Sequence, residues 1–169
     1  MSLSEKIVGM HYRYPDYYVV GREKVREYAT AVKNDDPAFF EEKAAAELGY
    51  DTIVAPLTFS AIFALLIQQH LFRQVDIGME TMQIVQVDQK FLYHKPIQAG
   101  DRLFGTVYVH SVDERFGADI VVTRNVCENE KGEVVMESFT TLMGQQGDNS
   151  TQIKWDAESG QVMRKAVGE

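Results

Sequence analysis

Only one cysteine, one tryptophan and four prolines occur among the 169 residues. A single thiol, Cys127, excludes an internal disulfide framework and suits a reducing, cytoplasmic compartment. By itself it reads as a small apolar strand residue. Positive charge is short as well. The net charge is −8, and no Lys/Arg-dense stretch occurs. Nucleic-acid binding needs a clustered basic surface, so no nucleic-acid partner is expected. An anionic membrane surface is an equally poor partner. Long hydrophobic runs are missing too. Met1 to Met10 lacks the continuous apolar core of a signal peptide. The apolar segment Ile53 to Ile67 holds about 15 residues, short of the roughly 20 that a bilayer demands. Pro56, Thr58 and Ser60 interrupt it, and Gln68, Gln69 and His70 close it, so no membrane span is expected. The four histidines form no ligand-spaced cluster with Cys, Asp or Glu, which argues against a metal. Gly100-Asp101 is a turn rather than part of a phosphate-cradling loop, and no cofactor is expected.

What is present is ordinary globular composition, 45% hydrophobic and 25% charged. A chain of this length can bury a core without staples, as one domain. The apolar patterning covers residues 1–147. The remainder, 148–169, is polar apart from Ile153, Trp155, Val162 and Met163, and is expected to be loosely ordered or docked by Trp155.

Four regions separate by pattern. The first carries Tyr12, Tyr14, Tyr17 and Tyr18 around Pro15, then a helix over Arg22 to Val32 with Val25, Tyr28, Ala29 and Val32 on one side. A tyrosine cluster can be a ligand platform, but packing in a core or dimer is the commoner use. The second, Asn34 to Asp51, is a loop followed by a short alanine-rich helix, with Asp36-Pro37 a turn or helix start and Gly49 placed to end the helix. The third is a helix from Pro56 to Phe72, with Phe59, Ile62, Phe63 and Leu66 in one stripe. Leu57, Leu65, Ile67 and Leu71 cover its other sides. A helix apolar nearly all round is buried. The fourth alternates with strand period through Ile84–Tyr93, Leu103–Val112, Ala118–Cys127 and Val134–Met143. Turns at Pro96, Gly100-Asp101, Arg115–Gly117 and Asn129–Gly132 imply an antiparallel meander. One long buried helix followed by such strands is an α+β arrangement. The sheet must wrap the helix, because no other element is apolar enough to cover it. That geometry is the hot-dog fold.

Within this frame lies a motif. Lys33-Asn34-Asp35-Asp36-Pro37-Ala38-Phe39, the alanines 44–46, Gly49-Tyr50 and Val54-Ala55-Pro56-Leu57 follow in order. The order resembles hydratases of the MaoC type, whose motif is Gly-Asp-x-Asn-Pro-x-His followed by an Ala-rich helix, a Gly-aromatic pair and a His-opened central helix. In that family the motif's Asp and His form the acid/base pair. Here those positions are Asn34 and Phe39, and the third polar position is Pro56. None of the three can take or give a proton at neutral pH. Further segments, Gly9–Pro15, Val54–Phe59, Ile84–Gln89, His94-Lys95-Pro96, Val112–Arg124 and Lys154-Trp155-Asp156, resemble the accessory (HadA/HadC-type) subunits of mycobacterial (3R)-hydroxyacyl-acyl-carrier-protein dehydratase.

The resemblance implies a non-catalytic subunit that pairs with a catalytic hot-dog chain supplying Asp and His. Its own share would be a channel for the acyl tail of an acyl-carrier-protein thioester. Burial gives roughly 0.8 kcal/mol per methylene, so about ten methylenes supply substantial affinity. Phe39, Phe59, Phe63 and Gln86 are the residues expected to face that channel, against a plain core role for the phenylalanines. Two alternatives stay open: a homodimeric acyl-thioester-binding protein without turnover, and an autonomous thioesterase using Asp35, Asp36 or Glu41. A homodimer of the lone chain is expected to be possible, since its sheet edge would otherwise be unpaired. Asp88 and His94 lie six residues apart on one strand, about 20 Å end to end, so they cannot pair directly.

Overall fold

The computed structural model describes residues 7–74, 82–115, 117–146, 151–156 and 161–166. Its elements follow the expected α+β order. Two short strands, β1 (His11–Arg13) and β2 (Tyr18–Val19), precede helix α1 (Arg22–Ala31), which buries Val25 and Ala29. A 3₁₀ turn, Pro37–Phe39, leads into α2 (Glu42–Glu47). That helix stops at Gly49, whose φ of 88° is the left-handed value glycine adopts freely. The central helix α3 (Ser60–Gln74) follows a second 3₁₀ turn, Leu57–Phe59. Four long strands come next: β3 (Met82–Tyr93), β4 (Arg102–Arg115), β5 (Ala118–Glu128) and β6 (Val134–Gln146).

The core is a ladder along one side of α3. Phe59, Phe63, Ile67 and Leu71 recur every four residues, and all are buried. They meet the inward positions of β4 and β5, among them Leu103, Val107, Val121 and Cys127. The tyrosine cluster belongs to this core. Tyr28 lies edge-on to Phe59 at 5.5 Å, and Tyr14 edge-on to Phe63 at 6.1 Å. Tyr18 tilts over Phe63 at 5.6 Å. Buried polar groups between helix and sheet bond to one another: Thr123 Oγ1 donates to Gln68 Oε1 (3.1 Å), and Asn125 Nδ2 donates to Ser138 Oγ (3.2 Å).

Three expectations are revised. First, the sheet runs β1-β4-β5-β6-β3 and is antiparallel throughout, so only β4–β6 form a meander. Strand β3 pairs with β6 at the far edge instead of with β4. The connection between β3 and β4 is no tight turn, because its backbone pairs elsewhere. Ala55 N–H donates to Ile97 O (2.8 Å) and Ala99 N–H to Ile53 O (3.0 Å). Secondly, the helix that the sheet wraps is not buried all round. It lies over β4 and β5, and Leu57 and Leu65 remain 66% and 53% exposed. Thirdly, the tail is not irregular: β7 (Thr151–Asp156) and β8 (Gln161–Ala166) pair as an antiparallel hairpin. Whether Trp155 docks on anything lies outside the described side chains.

Cys127 is sealed at the sheet surface, and burial pushes its thiol up to about 12. The thiolate is the reactive form, so it is scarce at pH 8. We expect the native chain to resist iodoacetamide at that pH and to take one label per chain after denaturation, as read by mass spectrometry.

Candidate functional site

The motif loop is shaped by its own short polar side chains. Lys33 takes a φ of 55°, which turns the chain out of α1. Asn34 N–H then donates to Ala29 O at 2.9 Å. The Asp36 carboxylate accepts the Ala38 N–H (2.9 Å) and so caps the 3₁₀ turn that Pro37 opens. Arg26 holds the far end, its guanidinium donating to Phe40 O at 2.8 and 3.2 Å. The loop is tied to the approach to α3 by Val54 N–H donating to Ala38 O (3.2 Å).

Between these two segments and the end of β3 opens a cavity of about 200 Å³. Its walls are largely apolar: Ala38, Phe39, Leu48, Val54, Ala55, Pro56, Leu57, Pro96 and Ile97. The polar exceptions are Asp36, Tyr50, Tyr93 and Lys95. Two tyrosines fasten the turn before α3: Tyr93 Oη donates to Leu57 O and Tyr28 Oη to Thr58 O, both at 2.9 Å. Burial raises the Tyr93 phenol above its ordinary value, so it is a neutral donor at neutral pH. Lys95 pairs with Glu133 at 2.7 Å and holds that carboxyl below the usual carboxylate range.

Two of the three motif positions meet here. Phe39 and Pro56 line the cavity, and Asn34 stands at its loop with its side chain accepting Asp36 N–H at 3.4 Å. No histidine is among the residues of the wall. His70 is edge-on to Tyr14 at 4.9 Å, and His11 and His110 lie against Tyr108 and Phe139. Sequence spacing excluded Asp88 as a partner for His94. It did not reveal the carboxylate that is near: Glu137, 3.7 Å away and also bonded to Arg124. Among the described residues, no group of three or more His, Cys, Asp or Glu is placed to hold a metal. No helix among them is long and apolar enough to cross a membrane.

Of the four residues expected in a channel, only Phe39 lines the cavity. Phe59 and Phe63 are 1% exposed and enclosed by Tyr14, Tyr18 and Tyr28, as members of the core. Their four-residue spacing puts them on the stripe that faces the sheet. Gln86 stands exposed on β3, where its amide donates to Gln89 (3.1 Å). Sequence reasoning named Tyr50, Tyr93 and Lys95 only within patterns and not as site residues, and it did not name Leu48 or Ile97. Tyr93 carried a weak signal, since strand alternation puts it on the inward face with Phe91; Leu48 and Ile97 carried none.

The chain matches the family described as FAS1-like, dehydratase domain region, over residues 6–138. It is 66% identical over 166 residues to UPF0336 protein MT0666 of Mycobacterium tuberculosis, covering 98% of this chain and all of that one. A second UPF0336 protein of that organism, MT0664, is 54% identical over 149 residues, 88% of this chain and 94% of the other. Among solved structures, a chain of the C-terminally truncated HadBC (3R-hydroxyacyl-ACP dehydratase) complex from Mycobacterium tuberculosis superposes with a TM-score of 0.77 at 63% identity. The match covers 82% of this chain and 97% of that one. A MaoC-like dehydratase superposes with a TM-score of 0.82 at 34% identity over 99% of this chain, which spans only 54% of that longer one. The chain therefore belongs to the FAS1-like dehydratase family, as a hot-dog, MaoC-like subunit of the HadB/HadC type.

Proposed function

We propose that this chain is the non-catalytic, acyl-binding subunit of a heterodimeric (3R)-hydroxyacyl-ACP dehydratase of long-chain fatty acid, including mycolic acid, elongation. One observation carries the reading: a formed, apolar cavity stands at the motif, while Asn34, Phe39 and Pro56 occupy the positions of its proton-transferring groups. A partner's Asp and His would take the α-proton and protonate the departing 3-hydroxyl, leaving water and a trans-2-enoyl thioester. The exposed flank of α3 at Leu65, Leu57 in the turn before it, and the edge strand β3 are the surfaces that such a partner would cover.

The cavity suits the acyl tail. An apolar cavity of about 150 Å³ holds a benzene ring of six carbons, so this one scales to about eight. Phe39 takes the place of a catalytic group and leaves hydrocarbon where a charge would be desolvated. Asp36 favours a thioesterase to the extent that it lines the same wall, but its carboxylate already caps the turn at Ala38.

Hydration of a long trans-2-enoyl thioester by the purified chain, alone and mixed with a catalytic hot-dog chain bearing intact Asp and His, tests this. Activity is expected only in the mixture. Hydration by the chain alone sinks the accessory role, and free thiol released by the chain alone establishes the thioesterase. A finer expectation concerns Leu48, exposed at the cavity rim. Leu48→Trp would obstruct the mouth at little cost to folding. It should lower kcat/KM of the mixture for long enoyl thioesters by about tenfold, the loss of two buried methylenes. Crotonyl thioester should be unaffected.

A further inference from the structure

We propose that, on the reading of the cavity as the acyl site, Tyr93 sets the length of tail that the chain admits. It does so as a strap that holds one wall of the cavity shut, between the end of β3 and the turn before α3. Space is short. A volume of about 200 Å³ holds about eight carbons, so a longer tail needs one wall to give way.

The walls are not equally firm. Backbone bonds knit the motif loop, the approach to α3 and the segment after β3: Val54 N–H to Ala38 O (3.2 Å), Ala55 N–H to Ile97 O (2.8 Å) and Ala99 N–H to Ile53 O (3.0 Å). Parting these would strand buried backbone groups. Tyr93 and Leu57 are joined differently. Both line the cavity, one as the last residue of β3 and the other as the first of the 3₁₀ turn. What ties them is a side chain, Tyr93 Oη donating to Leu57 O at 2.9 Å. That tie can be released at small cost. Leu57 O also accepts Ser60 Oγ at 3.0 Å, so the carbonyl keeps a partner when the phenol leaves. Tyr93 is 38% exposed, so its hydroxyl meets water as it swings. The scaffold on either side stays in place. Tyr28 Oη remains on Thr58 O and holds the turn, while His94 and Lys95 N–H, both on Val135 O, hold the backbone after Tyr93.

Past the strap there is room for a tail. Tyr93 and Phe91 share the helix-facing side of β3, their rings nearly parallel at 5.8 Å. The same side continues through Gln89 and Gln86, which pair with the inward Thr140 and Leu142 of β6. Helix α3 lies over β4 and β5, so both glutamines stay exposed. Their amides are tied to each other and to Thr140, at 3.1 and 3.5 Å. From Tyr93 to Gln86 this trough runs about 23 Å, at roughly 3.3 Å per residue. Closed, the strap confines a tail to the cavity; open, it joins cavity and trough.

Hydration of trans-2-octenoyl-CoA and trans-2-hexadecenoyl-CoA by the chain mixed with a catalytic hot-dog chain tests this role. Tyr93→Phe keeps the ring and removes the tie. It should raise kcat/KM for the hexadecenoyl thioester about fivefold, the weight of one net hydrogen bond in the closed-to-open equilibrium. The octenoyl thioester should be unaffected. Tyr93→Leu removes the ring as well and should raise the long-to-short ratio at least as far. Tyr28→Phe is the matched control, because it takes the corresponding hydroxyl from the next carbonyl without touching the cavity wall. It should lower the thermal midpoint and leave the ratio unchanged. A ratio that neither Tyr93 variant moves overturns the strap, while octenoyl turnover keeps the acyl-binding reading standing. An equal shift from Tyr28→Phe also overturns it, since loosening of the turn would then account for the gain. A mixture that hydrates neither thioester sinks the acyl-binding reading itself, and the strap with it.

Discussion

Truncating Phe59 to alanine is expected to lower stability by about 3–5 kcal/mol and the thermal unfolding midpoint by roughly 10 °C. The ring is 1% exposed, with Tyr28 edge-on at 5.5 Å and Tyr18 tilted over it at 6.4 Å. Its removal forfeits the transfer free energy of a whole aromatic side chain. It also leaves a cavity that cannot collapse, because the tyrosines around it are tethered: Tyr28 Oη is held by Thr58 O, and the backbone of Tyr18 pairs with Leu103. Phe63→Ala should behave alike, since Tyr14 and Tyr18 enclose that ring. The measurement separates two roles. A wall residue of an acyl channel faces a space that is vacant without substrate, so its truncation would cost little stability in the free chain. It would instead shift chain-length preference in the assembled enzyme. A loss below about 1 kcal/mol on thermal or urea unfolding would return Phe59 to the channel.

Sequence periodicity located the elements well where one physical rule dominated. The strand alternation from Leu103 to Met143 is a direct record of burial on one face. The helical stripe was half right, since Ile67 and Leu71, assigned to other sides, complete the buried ladder with Phe59 and Phe63, while Ile62 and Leu66 are only partly buried. Gly49 marked the end of α2 and Asp36-Pro37 the 3₁₀ turn ahead of it, because their backbone and capping preferences are local. What escaped was non-local. β3 sits beside β6 through its own backbone ladder, and the connection to β4 bonds at residues 97–99 to residues 53–55; neither pairing leaves a periodic trace. An all-round apolar helix reads as fully buried whether its cover comes from its own chain or from another, so Leu57 and Leu65 gave no warning of their exposure. The site divided in the same way. Motif order singled out Phe39 and Pro56, which line the cavity, and Asn34, which does not, whereas Leu48, Tyr93 and Ile97 meet there only because three distant segments converge. Phe59 and Phe63 were assigned to a channel by residue type; in the chain by itself both rings are buried among tyrosines, and the stability measurement on Phe59→Ala decides between the two roles.

Gly105→Val is expected to be the most damaging substitution on the sheet, costing about 3 kcal/mol, with Gly105→Ala costing about 1–2 kcal/mol. Nothing about its backbone calls for glycine, since its φ is not positive; the need is for space. It sits on the inner face of β4 between Leu103 and Val107, where α3 comes closest. A Cβ added there would lie 2.0 Å from Ile67 Cδ1 and 3.0 Å from Phe63 Cε1. Ile67 could swing its terminal methyl aside in a loose protein, but here it is buried with Phe63 and Leu71 in the same ladder. Relief must come from lifting the helix off the strand. That movement would also strain the Gln68–Thr123 hydrogen bond one residue along, and it would reach the turn at Leu57–Phe59 beside the cavity. Urea unfolding of the two variants should therefore show a graded loss, alanine before valine. Pairing each with Ile67→Ala should recover part of it, because the shortened side chain vacates the clashing position. Equal losses for alanine and valine, or no recovery with Ile67→Ala, would mean that the close approach of α3 to β4 does not decide the residue at 105.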